Sequence, residues 1–182
     1  MNLTENFLSL GKKARGLNGK PIYFSKPVDL IVIHWIGPYP RQSAAAAIYW
    51  WEDGTDGKGV QASAHFCVKD DEVFQALPLN EVGWHAGDER NYRAIGIEVV
   101  PMSVSGEFSE NTITTLKELI NHIWKTYPEA KLVRHFDGVQ KKDCPRYYTP
   151  VTSLLDGGGR IANPAGGEDR WIILCNFLTE KS

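Results

Sequence analysis

The sequence predicts an α/β domain with a central, mostly mixed β-sheet flanked by helices. Three observations carry that expectation. Residues Val28 to His34 (VDLIVIH) form a nearly continuous apolar run bounded by Pro27 and Gly37, the pattern of a central strand buried on both faces. From Thr112 to Tyr127 the apolar residues Ile113, Leu116, Ile120, Ile123 and Trp124 fall on one helical stripe, and Pro128 ends it. Strand-like and helix-like segments mix along all 182 residues without a repeat or a long linker, which fits one domain with its own core.

The remaining elements follow in order. The N-terminus, MNLTENFLSLGKKARG, reads as a short amphipathic helix with Leu3, Phe7 and Leu10 on one face, and it lacks the apolar stretch of a secretory signal. Gln42 to Glu52, rich in Ala and aromatics, is expected to be a helix, and GTDGKGVQ after it a loop. Ala62 to Leu77 reads as a hairpin turning at Lys69-Asp70-Asp71. Residues 80–93 carry turn formers and aromatics with no period, so a long surface loop is expected there. Ala94 to Val100 (AIGIEVV) is a strand stopped by Pro101, and Lys131 to His135 a further short strand. The run DGGGRIANPAGGEDR is irregular. A last helix, Glu168 to Thr179, presents Trp171, Leu174, Cys175 and Leu178 to the domain. Residues 1–150 are thus the body of the domain and 151–182 a tail with a docking helix.

Composition narrows the function. With 20 basic and 22 acidic residues the net charge is -2, which argues against a general attraction to nucleic acid. Arg134, Lys141, Lys142 and Arg146 crowd one stretch and read equally as a local basic patch or a solvated loop. No apolar run approaches the roughly 20 residues needed to cross a bilayer, so no membrane insertion is expected. The protein is expected to act as a monomer. Three cysteines make no disulfide framework and, with no secretory signal, imply synthesis in the reducing cytoplasm. Cys67 and Cys175 lie in apolar runs and read as buried thiols. Cys144 lies among polar residues (KKDCPR), where burial does not account for it.

Cys144 joins two histidines with similar settings. His34 ends the best-defined strand, just before Trp35, and His135 ends another just before a polar loop. Strand ends are rigid mounts that open onto loops. Imidazole nitrogen and thiolate sulfur both suit Zn²⁺, and three protein ligands with an open position is the catalytic rather than the structural arrangement. A strand-end histidine bonded to a backbone carbonyl satisfies the same local pattern, and the spacing matches no standard zinc finger. Glu98 sits among Ile and Val, where a carboxylate is costly unless paired or working, and points away from Ile97 and Val99. A raised pKa there suits a base for water. Lys142, two residues before Cys144, is placed to steady an oxyanion, or is a plain surface lysine.

In this order, the blocks IVIHW, SAHFCVKDDEVFQALPLNEVGWHAGD, NYRAIGIEVV and VRHFDGVQKKDCPR resemble the zinc-dependent N-acetylmuramoyl-L-alanine amidases of the type-2 family, relatives in fold of peptidoglycan recognition proteins. The resemblance covers roughly residues 28–150 and is nearest to phage endolysins, which suggests a phage or prophage protein. It implies the amidase/peptidoglycan-recognition fold, Zn²⁺ on His34, His135 and Cys144, and catalysis by Glu98 with Lys142. It also implies a peptidoglycan groove lined by Trp35, His65, Trp84, His85 and Asn91. The implied reaction is hydrolysis of the amide between the lactyl group of N-acetylmuramic acid and L-alanine. It would occur at the cell wall after release from the cell.

Two departures stand out. The loop between His135 and Cys144 is one residue longer than usual in these endolysins, which makes Asp143 a rival ligand, although Cys144 is the residue before Pro145. Ala64 stands where some relatives have a catalytic Tyr, which leaves proton transfer to Glu98. His65 reads equally as a groove residue or a packed strand histidine. The competing functions are a non-cutting peptidoglycan-binding module, a wall-recycling amidase, and a structural zinc protein with Asp143 or His65 as fourth ligand. Non-cutting relatives typically lose the Cys, so its presence favours an enzyme.

Overall fold

A computed structural model of the chain describes residues 1–37, 43–54, 57, 59–140, 142–150 and 165–180. Among them six strands form one mixed sheet: β1 (Asn2–Glu5), β2 (Leu30–Trp35), β3 (Phe66–Lys69), β4 (Glu72–Gln75), β5 (Ala94–Val99) and β6 (Lys131–Arg134). Their order across the sheet is β1-β4-β3-β5-β2-β6, with β3 and β4 antiparallel and every other neighbouring pair parallel. The helices are α1 (Ala44–Asp53), α2 (Glu110–Trp124), the single turn α3 (His135–Gly138) and α4 (Gly167–Thr179). The α/β expectation and its central mixed sheet are therefore what the chain adopts. The irregular run's residues 156–164, Gln42 and Lys141 lie outside the described residues.

The two faces of the sheet differ. Ile31, Ile33, Ile95, Ile97, Val99, Phe66 and Val68 share one face, which forms the main core with Leu116, Leu119, Ile120 and Ile123 of α2 and Trp171, Leu174 and Leu178 of α4. The stripe on α2 is thus centred slightly off the expected one, with Ile113 and Trp124 at its margin. Ser109 caps α2 by accepting from the Thr112 amide, and Glu110 in the first turn suits the helix dipole. α1 packs on β3 and β4, with Ser43 as its cap. The opposite face carries Val32, His34, His65, Cys67, Gly96 and Glu98, and receives the segment 80–93.

Three expectations are corrected. The N-terminus is not a helix: Asn2–Glu5 is strand β1, laid in parallel on β4. The Leu3, Phe7, Leu10 spacing misleads because the side chain that is buried is Leu8, whereas Phe7 and Leu10 are exposed. Pairing also covers the edge of β4 that would otherwise stand open, with the Asn6 and Leu8 amides continuing onto the carbonyls of Gln75 and Ala76. Residues 80–93 are a loop but not a surface one, since Glu81, Val82, Ala86, Arg90 and Asn91 are buried. Glu81 pairs there with Arg15 through two contacts of 2.8 Å. The basic stretch is not solvated throughout, because Arg134 and Arg146 are buried, whereas Lys142 is exposed. Arg134 donates to Asp137, to Glu168 at the start of α4 (2.8 Å) and to the Tyr148 carbonyl (2.8 Å).

Leu116 faces the main core with no exposed surface, whereas Ile173 on α4 is 67% exposed. Leu116→Ala should cost about 2–5 kcal/mol of stability in chemical denaturation. Ile173→Ala should change it by less than about 0.5 kcal/mol.

Candidate metal centre

Parallel pairing sets the site out in a row. In the β2–β5 register His34 stands beside Glu98, and in the β2–β6 register Ile33 stands beside Arg134, so His135 follows at the level of His34. Paired residues on neighbouring strands share a face. Glu98 Oε1 lies 4.0 Å from His34 Nδ1, and the His34 and His135 rings meet edge to face with centroids 4.7 Å apart. Cys144 returns to this row through α3: the Phe136 amide donates to the Cys144 carbonyl (2.9 Å) and closes the loop. The extra residue in that loop is therefore absorbed with Cys144 still in place, its Sγ 3.6 Å from His34 Nδ1.

His34, His135 and Cys144 offer ligand atoms that all lie within 4.8 Å of one another, and no other such group of three or more occurs among the described residues. Asp143 and His65 are not in it. The donor set fits a metal ion: two imidazoles and a thiol are zinc chemistry, and bond lengths of about 2.05 and 2.3 Å at a tetrahedral centre separate N and S by about 3.6 Å. Hydrogen bonds select the ligating nitrogens. His135 Nε2 faces the Ala86 carbonyl at 3.0 Å and must donate to it. His34 Nε2 lies 3.1 Å from His85 Nδ1, and His85 Nε2 lies 3.3 Å from the Ala94 carbonyl, to which it donates. That leaves Nδ1 of both His34 and His135 bare.

Burial sets the charge states. It pushes the His34 imidazole well below its ordinary range, with His85 and His135 adding to the effect. It takes His85 down to about 3 and His135 to about 4, the latter helped by Arg90 and Lys142. These rings are neutral near pH 7, as metal ligands and hydrogen-bond acceptors must be. Burial raises the Glu98 carboxyl to about 8. Its Oε2 is buried and has no hydrogen-bond partner among the described residues, so the site holds a polar group open to a further partner. Burial and the nearby Glu98 raise the Cys144 thiol well above its ordinary value. A bound cation would reverse that, since a coordinating thiol is deprotonated.

The other expected site residues separate into two groups. Trp84 and Asn91 line an open cavity of about 380 Å³ together with Gln61, Gly87, Asp88 and Tyr92, with the Trp84 ring edge-on to Tyr92. Trp35 ends β2 beside the ligands, partly exposed, with the Arg146 guanidinium 5.9 Å from its ring centre. Lys142 is exposed at the rim. His65 is corrected: it has no exposed surface, donates to the Glu81 carbonyl (2.8 Å) and accepts from the Gly96 amide (3.0 Å), so it is a packed strand histidine that no substrate reaches. His85 is corrected too, because both its ring nitrogens point inward to His34 and Ala94. Sequence reasoning missed Gly96, whose missing side chain makes room for that ring: a Cβ there would lie 2.5 Å from His85 Cγ. It also missed Arg90, which donates to the His135 carbonyl (3.2 Å). The IGIE block contains Gly96, whereas Arg90 lies between the WHAGD and NYRAIGIEVV blocks.

A family model described as N-acetylmuramoyl-L-alanine amidase matches residues 24–147. N-acetylmuramoyl-L-alanine amidase XlyA of Bacillus subtilis is 32% identical over 152 residues, covering 80% of this chain and 47% of XlyA. N-acetylmuramoyl-L-alanine amidase CwlH of the same organism is 37% identical over 115 residues, covering 59% of this chain and 42% of CwlH. The chain thus spans about half the length of the curated relatives it matches. The solved catalytic domain of XlyA superposes with a TM-score of 0.64 at 28% identity, over 80% of this chain and 91% of that domain. A mutant endolysin from Bacillus subtilis gives 0.69 at 26% identity, over 98% and 99% of the two chains.

Glu98 titrates at about 8 in the folded protein against an ordinary 4.5. The folded state therefore holds the extra proton between those values, and in metal-free protein Glu98's own contribution to stability is lost as pH rises from about 4.5 to about 8, while the buried histidines, held below their ordinary range, contribute in the opposite sense up to about 6.5. Glu98→Gln should remove that loss, matching the parent's melting temperature at pH 4 and exceeding it at pH 8. Parallel melting curves for the two proteins across this range would refute the assignment of a buried, protonated Glu98.

Proposed function

The chain belongs to the N-acetylmuramoyl-L-alanine amidase family, and from that membership we propose that it hydrolyses the amide between N-acetylmuramic acid and L-alanine in peptidoglycan, using zinc. One observation supports this above the rest: the partnerless carboxylate oxygen of Glu98 lies in the same row as the three metal-type donors. A binding module has no use for a buried, unpaired acid at that point, whereas a hydrolase does.

His34, His135 and Cys144 hold the zinc in this reading. When bound, zinc supplies the Lewis-acid chemistry that activates water and polarises a carbonyl. Glu98 takes the proton from the attacking water and returns it to the leaving amine of L-alanine. Burial holds the Glu98 carboxyl up to about 8 in the metal-free protein, and a bound cation would lower it toward the ionised form that a base needs. Lys142 at the rim steadies the developing oxyanion, its charge already felt at His135 and Cys144. Trp35, Trp84 and Asn91 flank the glycopeptide. Asn91 does so mainly through its position, since its Oδ1 is engaged by the amides of His85 and Ala86.

We further read the protein as a monomer acting on the cell wall after release. No helix among the described residues is long and apolar enough to cross a membrane. Residues 151–182 are read as part of the same domain, because α4 packs on α2 and is tied to Arg134.

Glu98→Gln should lower the release of free amino groups from purified peptidoglycan by about 10²–10⁴-fold while zinc content stays at the parent level. Unchanged release with zinc bound would overturn the role of Glu98. Metal analysis separates the two ligand candidates: Cys144→Ser should lose zinc and Asp143→Asn should keep it. The opposite pattern would move the ligand to Asp143.

A further inference from the structure

The metal reading leaves open what makes two ordinary imidazoles present the same nitrogen to the same point. We propose that the loop from Trp84 to Asn91 is a ligand-orienting device, in which the His85 ring acts through His34 and the Ala86 carbonyl acts through His135. This inference rests on the metal-centre reading above. A neutral imidazole has two tautomers, and the hydrogen bond at one nitrogen decides whether the other is free to ligate.

The chain of contacts is continuous. The Ala94 carbonyl accepts from His85 Nε2 at 3.3 Å, which leaves His85 Nδ1 as an acceptor. That atom faces His34 Nε2 at 3.1 Å, so His34 carries its proton there and keeps Nδ1 bare, 3.6 Å from Cys144 Sγ. The next residue of the loop, Ala86, supplies the equivalent acceptor to His135 Nε2 at 3.0 Å. Adjacent residues thus fix both histidine ligands.

The loop is itself held in three ways. Asn91 Oδ1 accepts from the amides of His85 (3.0 Å) and Ala86 (2.7 Å), clamping the two active positions. Gly96 leaves the space that the His85 ring fills. Arg90, gripped by Asp88 at 2.8–3.0 Å, donates to the carbonyls of Arg134 (3.4 Å) and His135 (3.2 Å), and lies so close over Gly138 that a Cβ there would be 2.0 Å from its Cζ. The loop therefore grips the peptide that bears His135 as well as its ring. His85 is a positioning residue in this arrangement. It is not a fourth ligand, because its two nitrogens are already committed to His34 and Ala94.

The test is the nitrogen-15 spectrum of the histidine rings in the zinc-loaded parent, with zinc affinity measured by competition against a chromophoric chelator. His34, His135 and His85 should all carry the proton on Nε2, with the two ligands bound through Nδ1. His85→Leu should weaken zinc binding about 10–100-fold and speed solvent exchange of the His34 Nε2 proton. His85→Asn, which keeps an acceptor at the δ position, should recover most of the affinity. A parent spectrum with the proton on Nδ1 of His34 or His85 overturns the proposal, as does full affinity in a folded His85→Leu. If that variant does not fold, the parent spectrum decides alone. A parent that takes up no zinc ends the metal reading instead, and the tautomers of the metal-free parent still decide whether the loop fixes them.

Discussion

The in-register parallel pairing of β2 with β5 and β6 is the constraint on which everything else in this molecule depends. It places Glu98 and His34 side by side on β5 and β2, and sets His135, the first residue of α3, just beyond the end of β6 at the same level. A slip of one residue in β2 would turn His34 into the core under α2 and bring Ile33 out among the polar groups. The apolar residues that alternate with the site residues, Ile31, Ile33, Ile95 and Ile97, hold the register because each is fully buried. Core and site are thus specified by the same alternation: the burial that favours one arrangement of the core also fixes the arrangement of the donors.

Holding polar side chains on a buried sheet face carries a cost that the molecule offsets by satisfying them in pairs. His65 is bonded at both nitrogens to backbone, His85 to a carbonyl and a ring, and Arg134 to two carboxylates and a carbonyl. Against that background the buried Oε2 of Glu98, like Trp84 Nε1 and the Nε and Nη2 atoms of Arg146, has no hydrogen-bond partner among the described residues, and the Glu98 carboxyl lies beside His34. Groups left unsatisfied in an otherwise well-bonded interior are where chemistry is expected. Neutral histidines beside an uncharged carboxyl also keep the face free of uncompensated charge.

Much of this was legible in the chain itself, and the failures have physical causes. The VDLIVIH run, the AIGIEVV strand and the α2 stripe declared themselves because burial imposes a period that survives in sequence. Cys144 stood out because a thiol among Lys, Asp and Arg has no packing reason to be there. The N-terminal strand was hidden because its partner β4 lies some 70 residues away, and a single edge strand with one half-buried side chain has no period of its own. Residues 80–93 were misjudged for a related reason: turn formers and polar residues usually mark a surface, but here their hydrogen bonds are spent inward. The groove roles given to His65 and His85 fail at the same point, since a histidine bonded to backbone, as His65 is, or turned to another histidine, as His85 is, carries the same letter as one that faces a substrate. Gly96 and Gly138 are informative only once the rings and guanidinium they admit are seen.

The C-terminal helix has a consequence for how such a unit can be moved between proteins. The matched family segment stops at residue 147, yet α4 continues the same body beyond it. Gly167 sits so close to Thr149 that a side chain would collide with its carbonyl, Arg170 donates to the Tyr147 carbonyl, and Glu168 grips the arginine that precedes His135. Recombination or engineering that joins this body to another domain has its natural seam after α4 rather than before it. A seam placed at the end of the recognisable motifs would carry every donor across and leave behind the brace beneath one of them.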